Sequence, residues 1–258
     1  INSKTKVIIP IHLFGQVCNM EFINNIAKKY DLKVIEDVAQ SCGAKYKGKT
    51  AGSIGHIGCY SFYPTKILGT YGDGGFVVTN DRKIYEKMHR IRFYGIETLN
   101  SKNKWYKKYY SNEHGTNSRL DEVQAAILNI KLKHMKESIN KRRSIAKRYL
   151  NELKDTNINL PLVNRQNRHV FHIFAVKHIK RDEIIKKMKS KKIYLNIHYP
   201  CPIHKMKAYK GLICDDCDCL PYTEKFSKEI FSLPIHPYLK YDEVSSIIKN
   251  LKKIISKF

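Results

Sequence analysis

The sequence is poor in acidic residues, has a single tryptophan and contains no long hydrophobic run. Among its 258 residues, 23 Asp and Glu stand against 48 Lys and Arg, which gives a formal net charge of +25. No apolar run approaches the roughly 18 residues of a membrane-spanning helix, and the first residues carry no secretory signal pattern. The remaining composition, 42% hydrophobic and 28% charged, is that of a globular protein.

The excess of basic residues raises the question of a nucleic-acid or anionic-membrane partner. The lysines are spread along the whole chain, and no nucleic-acid-binding motif accompanies them. A basic surface also suits a ligand that carries a diphosphate. We therefore expect no nucleic acid and no membrane as partner, and keep a basic nucleic-acid-binding protein as the least favoured alternative.

Seven cysteines in a chain of this size favour a reducing compartment, because the fold is large enough to need no disulfides. We accordingly expect a cytoplasmic protein. Cys214, Cys217 and Cys219 form a cluster with a CxxC spacing, but a zinc site needs a second pair, and Cys201 alone is a poor partner. The sequence favours a polar surface loop there and no metal site.

Short apolar runs alternate with helical patterns in the first half of the chain, as in a doubly wound, largely parallel α/β sheet. Asp81 is a candidate helix cap. Because a strand begins almost at once, we expect a preceding N-terminal segment and a large domain that is incomplete at that end. The predicted strands are 7–11, 33–37, 58–63 and 75–80, and the predicted helices are 20–30 and the one after residue 81.

The second half of the chain predicts a smaller C-terminal α+β domain. A polar loop over 96–118 and a connecting helix pair over 119–153 lead into it. We place the large domain at 1–130 and the small domain at 131–258. The predicted elements of the small domain are a strand (169–176), a helix (181–189), a strand (192–199) and a final helix (242–255).

Two residues suited to chemistry follow strands of the predicted sheet. Asp37 ends the strand KVIED, and Lys66 follows the strand GCYSFY. In an open parallel sheet, ligands bind beyond the carboxyl ends of the strands. A lysine can form an imine with the aldehyde of pyridoxal 5'-phosphate (PLP), and a carboxylate can keep the pyridine nitrogen protonated. Taken alone the pair is a weak signal, since a lysine after a strand is usually only solvent-exposed.

Six segments, in order along the chain, resemble the DegT/StrS-type family of PLP-dependent sugar-nucleotide aminotransferases. The resemblance implies the PLP-dependent aspartate-aminotransferase-like fold (fold type I). The family's N-terminal region, with a Gly-Thr phosphate-binding turn and an aromatic that stacks on the PLP ring, has no counterpart here. The segments are PIHLFGQ (10–16), VIEDVAQSCGAKYKGKTAGSIG (34–55), SFYPTKILGTYGDGGFVVTN (61–80), GTNSRLDEVQAAIL (115–128), IHYPCPIH (197–204) and SLPIHP (232–237).

The resemblance assigns cofactor roles to four of these residues. Lys66 would be the Schiff-base lysine and the base that moves the proton, and Asp37 the partner of the pyridine nitrogen. Gln40 would hydrogen-bond the ring hydroxyl, or else pack against its own turn. Ser61 would bind the phosphate, or else only satisfy backbone at the strand end.

Two further residues suggest a second subunit and an anionic ligand. Asn117 resembles the asparagine that reaches the phosphate from the neighbouring subunit, which implies a homodimer with shared active sites. Otherwise, GTNS is a turn in which Asn117 or Ser118 caps a helix. Arg119, taken to open that helix, would meet the anionic nucleotide or form an ordinary surface salt bridge.

The sugar site is expected beside IHYPCPIH. His198 and Tyr199 border this site in similar enzymes, and Tyr63 faces it from beside the lysine. The alternative is a strand end whose histidines, with His204, are merely hydrogen-bonded. His12 is either a neighbour of the cofactor ring or a packed strand-end residue.

The resemblance favours transamination, because a dehydrating branch of the family has histidine where this chain has Lys66. It implies L-glutamate as donor and a keto-sugar linked to dTDP or UDP as acceptor, for surface polysaccharide or glycoconjugate biosynthesis. The combination of HLFGQ with NSRLDE favours amination at position 3. The alternative is a truncated or non-catalytic homologue that acts as a binding or regulatory protein.

Overall fold

The computed structural model describes residues 1–97, 109–209, 211 and 220–258. Two compact units divide the chain: unit 1 comprises 1–137 with 165–170, and unit 2 comprises 138–164 with 171–258. Domain limits at 1–130 and 131–258 remain our proposal, because compactness alone does not define a domain that folds or acts by itself. None of the described helices is both long and apolar enough to cross a membrane.

Unit 1 is built on a four-stranded sheet with the order β1-β2-β5-β6. The first three strands are mutually parallel, and β6 is antiparallel to β5. The predicted largely parallel α/β sheet is therefore confirmed for the described residues, with β6 as its one antiparallel strand among them. The elements are β1 (Val7–Ile8), α1 (Met20–Lys29), β2 (Lys33–Asp37), β5 (Ile57–Ser61), β6 (Gly75–Val78) and α2 (Arg82–Arg92).

Both helices beside this sheet begin at a capping side chain. Asn19 Oδ1 accepts a hydrogen bond of 3.2 Å from Phe22 N–H at the start of α1. Asp81 Oδ1 accepts from Lys83 N–H at 2.8 Å and from the next amide at 3.1 Å, which confirms the predicted cap of α2. Such caps satisfy backbone donors that the first turn of a helix leaves without partners.

A fully buried carboxylate, that of Glu36 on β2, joins three parts of unit 1. It accepts backbone N–H bonds from Gly52 (2.7 Å), Ile54 (2.7 Å) and Gly55 (2.5 Å), and contacts His12 Nε2 at 2.9 Å. Burial by itself raises the pKa of Glu36, but these four hydrogen bonds together lower it below its ordinary value. The carboxylate therefore stays charged and fixes the 52–55 turn to the strand.

A small antiparallel sheet with the order β4-β3-β7 brings residues 165–170 back to unit 1. Its strands are β3 (Lys45–Tyr46), β4 (Lys49–Thr50) and β7 (Asn167–Arg168). Asn167 Oδ1 also accepts from Val17 N–H at 3.1 Å, and Val170 N–H donates to Gly15 O at 3.0 Å.

One continuous helix, α3 (Glu122–Glu152), leads from unit 1 into unit 2. The predicted helix pair over 119–153 was wrong, because this stretch contains neither proline nor glycine to interrupt 31 helical residues. The helix also begins three residues after Arg119.

The core of unit 2 lies between α3, the antiparallel pair β8–β9 and three further helices. Tyr149 is fully buried in α3, and its hydroxyl donates to Pro234 O at 2.8 Å. Helix α4 coincides with the prediction for 181–189, whereas α5 and β9 were not predicted as elements. The elements are β8 (Phe174–Lys177), α4 (Arg181–Lys189), α5 (Pro221–Glu229), β9 (Ile230–Leu233) and α6 (Tyr241–Ile255).

Two predicted strands of unit 2 need correction. The strand predicted for 169–176 is confined to β8, because Phe171 has φ 50°, which interrupts an extended chain. The strand predicted for 192–199 was wrong. Leu195 is buried beside exposed Tyr194, so the alternation is real, but only Asn196 forms a bridge, to Ser232 of β9.

Part of the predicted polar loop, residues 98–108, lies outside the described residues, as do Cys214, Cys217 and Cys219. The described flanks of the loop meet each other: Ile96 bridges Ser111.

We expect Glu36→Gln to destabilise the folded protein by about 3–5 kcal/mol, because the amide cannot accept every hydrogen bond that the carboxylate accepts. A pKa lowered on folding contributes stability above the ordinary value of about 4.3 and loses it as the pH falls through the folded value. The difference between wild type and variant in denaturant unfolding should therefore shrink below about pH 4.3.

Glu21→Gln is the matched control. Glu21 forms an exposed ion pair of 2.7 Å with Lys47, so its loss should cost at most about 1 kcal/mol. Equal effects of the two substitutions would show that the Glu36 carboxylate contributes no more to the free energy of unfolding than an exposed ion pair does.

For unit 2 we expect Phe231→Ala to cost about 3–5 kcal/mol in the free energy of unfolding, because the ring is fully buried in the core. Tyr238→Ala serves as control, since Tyr238 is 82% exposed and should change stability by no more than about 0.5 kcal/mol. Unfolding in guanidinium measures both, and a small effect at Phe231 would contradict the described core.

Candidate active site

Asp37 lies at the carboxyl end of β2, where its backbone is held by the preceding segment of the chain. Its N–H donates to Pro10 O at 2.9 Å, and its carbonyl accepts from His12 N–H at 3.0 Å. The Oδ1 atom accepts from Ala39 N–H at 3.0 Å. Since neighbouring residues of a strand point to opposite faces, Asp37 presents its carboxylate on the face away from buried Glu36.

Gln40 has a fixed side-chain orientation. Its Oε1 accepts from Phe14 N–H at 2.7 Å, in a short 3₁₀ turn (Leu13–Gly15) where Phe14 has φ 59°. The contact joins residues 26 positions apart, so the interpretation that Gln40 only packs against its own turn was wrong. Because the oxygen faces Phe14, the side chain presents its NH₂ as a donor, which suits an anionic ring oxygen.

Lys66 sits in a tight turn that follows β5 directly. Lys66 N–H donates to Tyr63 O at 2.9 Å, and Tyr63 N–H donates to Ser61 Oγ at 3.3 Å. Lys66 and Ser61 are half-buried, whereas Tyr63 is 51% exposed. The Ser61 hydroxyl thus does satisfy backbone, and as a hydroxyl it also carries a hydrogen that can be donated to a phosphate oxygen.

The pairing of β2 with β5 brings these residues to one edge of the sheet. Asp37 lies opposite Cys59 in the parallel register, two positions before Ser61. The edge therefore collects a carboxylate, an amide donor, a hydroxyl and, in the following turn, a primary amine. This set fits a pyridine ring that carries an aldehyde, a hydroxyl and a phosphate, which is the functional-group set of PLP.

His12 is fully buried and belongs to the Glu36 network. Its Nδ1 accepts from Cys18 N–H at 3.2 Å, so its Nε2 carries the hydrogen that is donated to Glu36. The structure thus supports the packed strand-end interpretation of His12. Glu36 itself was missed, although its sequence signal, a second acid beside Asp37 in a strand, was present.

Asn117 and Arg119 lie on exposed chain before α3. The backbone of Asn117 bridges Phe93, and Ser118 N–H donates to Arg92 O at 3.0 Å. Because α3 begins at Glu122, neither Asn117 nor Ser118 caps a helix, and Arg119 does not open one.

His198 and Tyr199 belong to unit 2. His198 Nδ1 lies 2.9 Å from Ser232 Oγ, and burial lowers the pKa of His198, which favours the neutral imidazole at pH 7. The Tyr199 ring is perpendicular to it at 5.5 Å between centroids and is half exposed. His204 is buried and pairs with Glu224 at 3.0 Å, which indicates a structural role.

Across the residues that the structure describes, no group of three or more His, Cys, Asp or Glu side chains is arranged to hold a metal ion.

Comparison with known proteins places this chain in a family. The sequence model of the DegT/DnrJ/EryC1/StrS aminotransferase family matches residues 1–252. The dTDP-3-amino-3,4,6-trideoxy-alpha-D-glucose transaminase of Micromonospora megalomicea subsp. nigra is 41% identical over 99% of this chain and 67% of its own length. The pleiotropic regulatory protein of Geobacillus stearothermophilus is 40% identical over 100% of this chain and 68% of its own.

A solved structure agrees with the sequence relatives. DesV of S. venezuelae, determined in complex with a ketimine intermediate, is 36% identical and superposes with a TM-score of 0.91 over 98% of this chain and 66% of that one. The predicted PLP-dependent aminotransferase fold is thereby confirmed. The chain spans about two thirds of the length of the relatives that it matches. On these grounds the chain belongs to the DegT/DnrJ/EryC1/StrS aminotransferase family.

Proposed function

We propose that the protein is a PLP-dependent aminotransferase that moves an amino group from L-glutamate to the keto group of a dTDP- or UDP-linked sugar. The observation that carries the proposal is Lys66 in a tight turn beyond β5, beside the strand end that presents Asp37. A relative that bears the name of a dTDP-3-amino-sugar transaminase supports position 3 of the sugar as the site of amination. The product would serve surface polysaccharide or glycoconjugate biosynthesis.

Bound PLP supplies an electron sink that stabilises negative charge at the carbon from which a proton is removed. In our proposal Asp37 binds the protonated ring nitrogen, which makes the ring a stronger acceptor of electrons. Gln40 donates its amide hydrogen to the ring hydroxyl, and Ser61 donates its hydroxyl hydrogen to the phosphate.

Lys66 has two tasks in this scheme. Its amine would hold the cofactor through the aldehyde group. The same amine would hold and move the proton at the donor carbon. Its place in a closed turn, half-buried, limits how far that amine can move away from the reacting atoms.

For the sugar nucleotide we propose Tyr63, Arg119, His198 and Tyr199 as binding residues. The two exposed tyrosines offer ring faces and hydroxyl groups to a sugar, and Arg119 offers a cation to the diphosphate. Neutral His198, held by Ser232, can donate or accept a hydrogen bond to a sugar hydroxyl. A chain with net charge +25 favours association with a ligand of this kind.

We also propose a homodimer in which Asn117 of one subunit reaches the phosphate in the site of the other. The exposure of Asn117 leaves it available for such a contact. A cytoplasmic location is part of the proposal, supported by the free thiols of Cys18, Cys42, Cys59 and Cys201.

A non-catalytic regulatory role is the second candidate, because one relative of 40% identity bears a regulatory name. That role needs no covalent attachment of cofactor at Lys66. The residues at the carboxyl ends of β2 and β5 favour the enzyme, since a lysine, a carboxylate and an amide donor together have no evident purpose in a purely binding role.

To test the Schiff-base assignment, the chain is incubated with PLP, reduced with borohydride, digested and analysed by mass spectrometry. We expect near-complete labelling at Lys66, because the site holds the aldehyde beside that amine, and only scattered labelling of other lysines. In Lys66→Ala the concentrated label should disappear, and transfer from glutamate to a keto-sugar nucleotide should be lost.

Scattered labelling that Lys66→Ala does not alter would count against the enzyme. The experiment would then be repeated with a relative's amino-terminal segment fused ahead of Ile1, because the relatives are longer than this chain. A second absence of label at Lys66 would leave the regulatory role as the better proposal.

Shared sites predict complementation between two inactive variants. Lys66→Ala and Asn117→Ala are mixed, dissociated and reassembled, so that half of the dimers contain one subunit of each kind. Such a dimer has one site with both residues intact, and activity should recover to about a quarter of the wild-type value. If both residues act within one subunit, every site retains a defect and no activity returns.

A further inference from the structure

The turn that carries Lys66 is one half of a loop closed at its base. Phe62 N–H donates to Gly74 O at 2.8 Å, and Thr70 N–H donates to Phe62 O at 2.8 Å. The Thr70 hydroxyl reinforces this closure with a bond of 2.9 Å to the same Phe62 carbonyl. The segment 63–73 is thus tied to Phe62 at Gly74 and at Thr70, and the position of the residues between these ties depends on what packs against them.

The second half of this loop presses directly on the lysine turn. A side chain at Gly69 would place its Cβ 2.7 Å from Tyr63 O and 2.6 Å from Pro64 O. Real Cβ atoms do not approach this closely, so the backbone at 69 already fills the space beside the turn. Because Tyr63 O accepts the Lys66 N–H bond at 2.9 Å, a displacement of the backbone at Gly69 would also move the backbone of Lys66.

One face of helix α3 holds that second half. Gln124 Oε1 accepts from Tyr71 N–H at 3.0 Å, and Lys131 Nζ donates to Gly69 O at 2.5 Å. The Lys131 ammonium also lies 5.2 Å from the centre of the Tyr71 ring. A bond from a cationic donor to a carbonyl is stronger than a neutral one, and partial burial of Lys131 limits competition from water.

The spacing of the contacting residues along α3 gives the helix one continuous contact with the loop. Gln124, Leu128 and Lys131 lie at i, i+4 and i+7, which places them on the same face of the helix. Leu128 is buried between the two polar contacts in a cluster with Phe62 and Leu68 of the loop. The face therefore presents a polar, an apolar and a cationic contact to one loop.

We propose that Gln124 and Lys131 are positioning residues that hold the Lys66 amine within reach of the cofactor aldehyde. They act through Tyr71 and Gly69 and touch neither cofactor nor substrate. The inference rests on the proposed function, because a fixed lysine turn matters to chemistry only where Lys66 reacts.

The test compares Lys131→Met, Gln124→Met and Lys131→Arg with wild type. Three quantities are measured: hydrogen exchange of the 62–75 peptide, the dissociation constant of PLP before borohydride is added, and the rate at which Lys66 becomes labelled at saturating PLP. The matched control is Lys133→Met, which removes an exposed lysine from the opposite face of the same helix.

We expect both methionine variants to exchange the loop amides about tenfold faster, because the contacts that order the loop are lost. Labelling of Lys66 should slow by about tenfold while the dissociation constant changes less, because the amine is displaced and the other cofactor contacts remain. Lys131→Arg keeps a cationic donor and should restore labelling to within about twofold of wild type. The control should match wild type throughout.

A wild-type labelling rate in both methionine variants would overturn the inference, even if the loop exchanged faster, because the contacts would then serve stability alone. Should one methionine variant fail to fold, the other decides. If wild type shows no label at Lys66 either alone or with the added amino-terminal segment, the proposed function fails. Unchanged hydrogen exchange in the variants would separately overturn the claim that these residues order the loop.

Discussion

Unit 1 is arranged around one charge that water does not reach, the carboxylate of Glu36. A buried carboxylate without partners is strongly destabilising, so the fold must bring donors to it. The 52–55 turn supplies three backbone N–H groups, and His12 supplies the fourth hydrogen. The donors come from two separate segments of the chain, the 52–55 turn and His12. One side chain thereby fixes where β1, the turn after β4 and β2 lie relative to one another.

The next residue of the same strand, Asp37, points to the opposite face of the sheet. Because side chains alternate along a strand, the network that fixes Glu36 also fixes the direction in which Asp37 points. The backbone of Asp37 is held at both of its polar groups, by Pro10 O and by His12 N–H. In the role that we propose for Asp37, such rigidity is useful, because misplacement of a catalytic contact by about 1 Å is costly. One strand of five residues therefore holds both the structural acid, Glu36, and the acid for which we propose a role in cofactor binding, Asp37.

Elements whose signals are local could be predicted from the sequence, and those that depend on distant partners could not. The bounds of β2, the Asp81 cap and helix α4 follow from neighbouring residues, and the structure has them as predicted. The strand predicted for 192–199 has the right alternation, yet a strand also needs a partner along its length, and β9 pairs instead with β8. The prediction of two helices in place of α3 was wrong, because the sequence contains no residue that would break the helix. The apolar pattern of one long helix resembles that of two shorter ones.

Prediction of the candidate site from the sequence is limited in the same way. Asp37, Gln40, Ser61 and Lys66 lie within 30 residues, so the segments that contain them carry a family resemblance that can be recognised, although their roles stay predictions. What supports them is spread over the chain: Phe14 orients Gln40 across 26 positions, and Lys131 reaches Gly69 across 62. In each of these contacts one partner is a backbone amide or carbonyl. Because nearly every residue carries these groups, the sequence does not show which residue makes the contact. The residues proposed to react can therefore be recognised in the sequence. The contacts that position them can be identified only from the three-dimensional arrangement of the strands, turns and helix.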